Sequence, residues 1–292
     1  MKTPGEIAAA AQLACLLEAS APKPGNVSPG RDFPDARYED FLASAAAIGA
    51  PFAGAGSRPL GATIRLAVES TARWTGSNTN LGIVLLLAPI AHAAASASSP
   101  LSLRPALRVV IDESTVEDAR DVYAAIRLAA PGGLGRAEAQ DVADEPTVTL
   151  ADAMRLAAGR DSIAREYATG FATTFDVGVP TLERARRDGL AWGDAIVETF
   201  LTVLASGHDT HIARRAGAAL AERATELASG VLTRGGVRSA EGRHALDAMD
   251  GILRDERHLG NPGTTADLTA AAVFVVLLSL VARGDTIVGR HV

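Results

Sequence analysis

The stretch Val116-Glu117-Asp118-Ala119-Arg120-Asp121-Val122-Tyr123-Ala124-Ala125-Ile126-Arg127-Leu128-Ala129 settles the fold class. Val116, Ala119, Val122, Ile126 and Ala129 recur at separations of three and four, which places them on one face of a helix. Pro131-Gly132-Gly133-Leu134-Gly135 then stops it. The same period runs outward in both directions. Residues 7–19 read as helix up to Ser20-Ala21-Pro22, and 38–48 up to Gly49-Ala50-Pro51. Residues 59–74 form another, and an apolar helix opens at Leu81. Thr149 is placed to cap a helix whose inward residues are Leu150, Met154 and Ala157. Ile163, Tyr167 and Phe171 share a face, as do Trp192, Ile196, Phe200 and Leu204. Long helices start at Thr210 and Ala240, and a last one near Thr265. Only residues 107–111 read as a short strand. The expectation is an all-α protein: one compact bundle of about ten to twelve helices, a single domain over residues 1–292.

Composition agrees. The chain is 48% hydrophobic but only 4% aromatic and rich in alanine, which favours closely packed helices over a β-sandwich. A net charge of −6 leaves no general basic field to attract nucleic acid. The single cysteine, Cys15, excludes an internal disulfide framework, fits a reducing cytosol and reads as a core residue. The N-terminus has no hydrophobic signal region. The apolar runs 81–97 and 268–282 fall short of the ~20 residues that span a bilayer and read as core helices, so no membrane partner is expected. Alanine-rich faces are compatible with a homodimer.

Lysine is nearly absent. Of 28 basic residues only Lys2 and Lys23 are lysines, and Lys23 sits in Ala21-Pro22-Lys23-Pro24-Gly25-Asn26. A compact ammonium on a proline-stiffened turn suits a phosphate or a carboxylate. That turn continues to Asp32 and Asp35, offering a cation, an amide and two carboxylates. Three further polar turns adjoin apolar helices, where ligands of a helical bundle gather. Gly76-Ser77-Asn78-Thr79-Asn80 precedes the Leu81 helix, with Thr79 or Asn80 as its cap. Gly207-His208-Asp209-Thr210-His211 leads to Arg214 and Arg215, with Asp209 or Thr210 as a cap and His211 and Arg215 on one face. The spacing of His208, Asp209 and His211 matches no strong zinc pattern; a carboxylate on Mg²⁺ with arginines on phosphate suits these groups better. Gly260-Asn261-Pro262-Gly263-Thr264-Thr265-Ala266-Asp267 has capping-box spacing between Thr264 and Asp267. It also leaves Asp267 as a carboxylate at the mouth of an apolar helix. No Walker A motif, dinucleotide fingerprint, nucleophile elbow or cysteine metal box is present.

Taken in order, Lys-Pro-Gly-Asn near 25, Asn-Thr-Asn-Leu-Gly near 80, Asp-Thr with paired arginines near 210, and Asn-Pro-Gly-x-x-Ala-Asp-Leu near 265 resemble the triphosphoribosyl-dephospho-CoA synthase family. The resemblance implies an all-helical, cytoplasmic, ATP-dependent transferase. It joins the triphosphoribosyl part of ATP to the hydroxyl of 3′-dephospho-CoA, releases adenine, and supplies a prosthetic-group precursor for lyase carrier proteins. By position it points to Lys23, Pro24, Gly25, Asn78, Thr79, Asn80, Gly82, Asp209, Arg215, Pro262, Gly263 and Asp267, with Asn26 in the same turn. The chain departs from the family's Lys-Pro-Gly-Leu-Val-Asp at Asn26-Val27-Ser28, and from its Asn-Thr-His-Lys-Gly at Asn80-Leu81. These departures also admit a branch acting on another ribosyl or pterin-type precursor.

Displacing adenine from ribose C1 passes through an oxocarbenium-like transition state. The resemblance implies that Asp209 or Asp267 stabilises that cation or deprotonates the acceptor. Lys23, Arg215 and Mg²⁺ would hold the triphosphate, and Asn78, Asn80 or His211 would meet the departing adenine. Asp32, Asp35, Asp209 and Asp267 are the candidate metal ligands. Two rivals use the same groups: an Mg²⁺-dependent N-ribosyl hydrolase, and a non-catalytic nucleotide-binding protein.

Overall fold

A computed structural model describes residues 2–254 and 257–286. Among them every regular element is a helix, with isolated bridges only at Ser28–Arg31 and Phe33–Ala36. The helices are α1 (Pro4–Ser20), α2 (Tyr38–Ala47), α3 (Gly49–Ala53), α4 (Leu60–Ala72), α5 (Leu81–Ser96), α6 (Leu103–Asp112), α7 (Val116–Ala129) and α8 (Leu150–Ala157). They continue with α9 (Ser162–Thr169), α10 (Val179–Arg187), α11 (Trp192–Ser206), α12 (Thr210–Ala216), α13 (Ala218–Thr233), α14 (Ala240–Leu253) and α15 (Gly263–Arg283).

The helices start where side chains satisfy their orphan N–H groups. Thr3 and Thr115 form capping boxes with Glu6 and Asp118, and Thr149, Asp161, Asp209 and Ser239 each accept from the first turn they precede. Helix α15 is the axis. Fifteen of its 21 residues are buried, and it packs on α1, α5, α9, α10, α11 and α12. By length and composition it could cross a membrane, but here it is the centre of the core. Helix α5 is buried along most of its length beside it. One contiguous apolar cluster runs from Ile7 to Leu278.

Several boundaries differ from the sequence reading, each for a local reason. Residues 107–111 lie in α6, not a strand, because Leu103, Leu107 and Ile111 are buried at i, i+4, i+8 on one face. The expected long helix from Thr210 breaks at Gly217, whose φ of 93° no helix contains, so α12 and α13 take separate directions. Gly49 and Pro51 do not end the helical path but begin the short α3. These breaks raise the number of segments above the count expected from periodicity. Phe171 is buried like Ile163 and Tyr167 but lies past the end of α9, with φ 60° after Gly170 at φ 65°. The expected capping box at Thr264 does not form; α15 opens two residues before Thr265, at Gly263, leaving Asp267 in its second turn.

Candidate active site

All four polar turns meet at one end of the bundle. The first touches the fourth where the Asn26 amide donates to Asn261 Oδ1 at 2.9 Å. It touches the second where the Ser77 hydroxyl donates to the Asp35 carbonyl. The third holds the fourth at Asp209 and Thr210, and the second meets the fourth at Gly82 and Asp267. Between them opens a cleft of about 790 Å³. Its lining combines charged or polar groups, with Asn78, Glu138, Arg160, Asp161, His211, Arg214, Arg215 and Asp267, and apolar residues of α5, α7 and α8, and it is bordered by residues 130–142.

Asp267 is the central group. Its carboxyl lies at the cleft wall against Gly82: a Cβ there would stand 2.0 Å from Asp267 Oδ2, so the glycine is what admits the acid. The carboxyl makes no hydrogen bond or ion pair among the described residues. Burial raises its proton affinity well above the usual carboxylate range. The neighbouring charges of Glu18, Asp209 and Asp161 raise it further, with Arg214 opposing. An unpartnered acid with raised affinity, aimed into a cleft, is the signature of a proton-transfer group.

His211 lines the same wall with its ring on Gly263 and its Nε2 3.4 Å from Arg215 Nη1. Burial first, then Arg214 and Arg215, lowers its pKa to about 4, so it presents a neutral imidazole at physiological pH. Arg214 is braced by Asp161 at 2.5 Å, and Asp161 Oδ1 caps α9. Arg215 donates to the carbonyl of His258 at 3.2 Å. Arg160 makes no ion pair among the described residues and faces the cleft free. His258, at φ 51°, stacks on Phe33 with ring centroids 3.9 Å apart, and both line the cleft.

Other expected site residues stand behind this wall rather than on it. Lys23 is fully buried: its ammonium pairs with Glu18 Oε1 at 2.9 Å, donates to the Glu18 carbonyl and reaches the Ala21 carbonyl at 3.1 Å. It closes the turn after α1 and is not a free cation for phosphate. Asp209 is not open to substrate or metal. Its Oδ1 caps α12 through the Ile212 N–H at 2.9 Å, and its Oδ2 accepts both the N–H and the hydroxyl of Thr265 at 2.7 Å, binding two helix starts together. Asn80 donates to Thr71, and Thr79 pairs with Ser44, both buried. The Gly25 N–H is held by Asp250 at 2.7 Å, with Pro262 packed close by. Pro24 borders a separate small hollow. Asn26, Pro262 and Gly263 shape the junction of turns rather than the cleft surface.

Asp32 caps the Tyr38 N–H at 2.8 Å, away from the cleft, while Asp35 lines it. The set Asp32, Asp35, Asp209 and Asp267 therefore does not assemble into a metal site. No three His, Cys, Asp or Glu among the described residues come together to hold a metal.

Sequence reasoning missed Arg160, the Asp161–Arg214 brace and the border at 130–142. Arginines are too common here to single out one, and Gly132-Gly133-Leu134-Gly135 signalled only a helix stop.

Comparison with known proteins gives the same family from three directions. The chain is 36% identical over 113 residues to a probable 2-(5″-triphosphoribosyl)-3′-dephosphocoenzyme-A synthase of Stutzerimonas stutzeri, covering 38% of each chain. It is 34% identical over 113 residues to the 2-(5″-triphosphoribosyl)-3′-dephosphocoenzyme-A synthase of Klebsiella pneumoniae, 38% of this chain and 40% of that one. The matched segments thus span about two fifths of the curated relatives' length. A crystal structure described as a triphosphoribosyl-dephospho-CoA synthase from Archaeoglobus fulgidus superposes with a TM-score of 0.64 at 27% identity, over 82% of this chain and 98% of that one. The family model for ATP:dephospho-CoA triphosphoribosyl transferase matches residues 4–284, nearly the whole fold that builds the cleft, and the chain belongs to that family.

Proposed function

We propose that this protein transfers the triphosphoribosyl group of ATP to the hydroxyl of a nucleotide-like acceptor, 3′-dephospho-CoA by family, and releases adenine. The observation that carries the reading is Asp267: an unpartnered carboxyl of raised proton affinity, pressed against Gly82 where four turns meet. In the reaction the C1′–N9 bond of ATP breaks and a C1′–O bond to the acceptor forms. Asp267 takes the acceptor's hydroxyl proton, then passes it to solvent. Adenine leaves with the bond's electron pair and gains a proton from water. The carboxylate also opposes the positive charge that develops on the ribose ring.

Arg160, Arg214 and Arg215 supply the cationic side on which a triphosphate lies. Arg160 meets it as a free fork; Arg214 and Arg215 are held in place by Asp161 and the His258 carbonyl. Neutral His211 and the Asn78 amide suit the uncharged edge of adenine, where an imidazolium would repel a base gaining a proton. Mg²⁺ enters as part of the MgATP substrate, taking most of its ligands from phosphate and water. Asp35, Glu138 and Asp267 are the cleft carboxylates without an ion-pair partner among the described residues, and Asp35 or Asp267 would add one ligand to those that phosphate and water supply.

The test is product analysis after incubation with MgATP and dephospho-CoA. Transfer yields adenine and the joined product in equal amounts. Adenine with free triphosphoribose would make the protein a hydrolase, and ATP binding without adenine would make it a nucleotide-binding protein.

A further inference from the structure

The cleft lining mixes charged groups with a large apolar surface and calls for a ligand that carries both. Leu85, Val122, Ile126, Leu150 and Met154 supply apolar lining, joined by Leu134 on the strap of residues 130–142, which also brings Glu138 to the cleft. The strap is tied at its far end. Tyr123 donates to the Gln140 carbonyl at 2.6 Å, Arg127 to the Val142 carbonyl at 2.7 Å, and Asp141 accepts from the Ala137 and Ala143 N–H groups at 2.5 and 2.8 Å. Ala130 and Gln140 bracket it in left-handed conformations, at φ 44° and 52°. Between them Gly132 and Leu134 border the cleft, and the Gly132 peptide groups and the Leu134 carbonyl make no hydrogen bond among the described residues. An apolar floor bordered by free peptide groups at Gly132 and Leu134 matches a slender apolar chain that carries its own amides. Neither ATP nor its triphosphate has such a part.

We infer that this channel is the seat of the acceptor's pantetheine arm, with the strap's peptide groups pairing with the arm's two amides and Leu134 covering it. The inference rests on the transfer reading for the identity of the acceptor. It assigns discrimination among acceptors to α7, α8 and the strap, and chemistry to Asp267 and its neighbours.

Calorimetric titration with dephospho-CoA and with ADP, which lacks the arm, tests it without turnover. Two variants accompany the wild type. Leu134→Asp changes an exposed strap residue, and Ala153→Phe fills the channel floor. Wild type is expected to bind dephospho-CoA at least about 30-fold tighter than ADP, the gain that burying such an arm allows. In both variants that ratio falls below about 3-fold while ADP and ATP affinities hold. Dephospho-CoA binding no tighter than ADP, or variants that weaken both equally, would overturn the channel. Adenine release measured alongside separates the two readings. A preserved ratio without adenine sinks the transfer and leaves the channel, and adenine without the ratio does the reverse.

Discussion

Asp267, a carboxylate at the mouth of an apolar helix, and Lys23, the lone internal lysine, both stand out in the sequence, and the fold gives them opposite roles. Asp267 has no partner and faces the cleft; Lys23 has three and faces none. Asp267→Asn should therefore lower kcat by about 10²–10⁴. It should also raise Tm at neutral pH by a few degrees. The folded state holds the Asp267 proton above the unfolded value of about 3.9. Native protein thus binds more protons than unfolded across that window, and stability falls as pH rises through it. Removing the carboxyl cancels that loss, so the Tm gain of the variant should shrink as pH is lowered toward the unfolded value, as read by thermal scans across pH. As a base, Asp267 must ionise, so kcat/KM of the wild type should fall on the acid side with an apparent pKa above the ordinary carboxylate range. Lys23→Met should act on stability instead, costing about 3–5 kcal/mol by stranding the buried Glu18 charge, with most recovered in Lys23→Met/Glu18→Leu. Denaturant unfolding and ATP calorimetry on the same samples would show the loss in the first and none in the second.

At the scale of elements, two helix starts carry the site. Asp209 locks the beginnings of α12 and α15 together, which fixes His211, Arg214 and Arg215 relative to Asp267. Asp209→Ala should cost about 2 kcal/mol or more, since one cap is worth ~1 and two are lost with the Thr265 hydroxyl bond. That loss would appear in urea midpoints. Gly82, in the first turn of α5, has the converse character. Gly82→Ala places a methyl where Asp267 Oδ2 now lies, and the flexible carboxyl can swing aside. The expected outcome is a small change in Tm with a fall in kcat of about tenfold or more, because a displacement of about 1 Å is enough to disrupt proton transfer.

Across the whole molecule, the helical class was legible because a period of 3.6 survives in stretches such as Val116–Ala129 whatever surrounds them. The breaks at Gly217 and Gly49 were not, since glycine signals a turn but not whether the path resumes. Residues 107–111 misled because a five-residue window shows no helical period; Leu103 supplies the missing turn. The four turns could be picked out in the sequence, because small polar residues between apolar helices have few other uses. Which residues face inward was not. Lys23, Asn80 and Asp209 carry the same functional groups as cleft residues, and only packing turns their donors and acceptors inward to Glu18, Thr71 and Thr265. The strap and Arg160 became visible only when α7 and α8 were brought against α5 and α9.

The most direct test is a single-turnover experiment on Asp267→Asn with MgATP and dephospho-CoA, after calorimetry has shown ATP bound with wild-type affinity. The account predicts no adenine above background from a folded, nucleotide-loaded protein, beside one adenine per joined product from the wild type. Adenine appearing at the wild-type rate would contradict it.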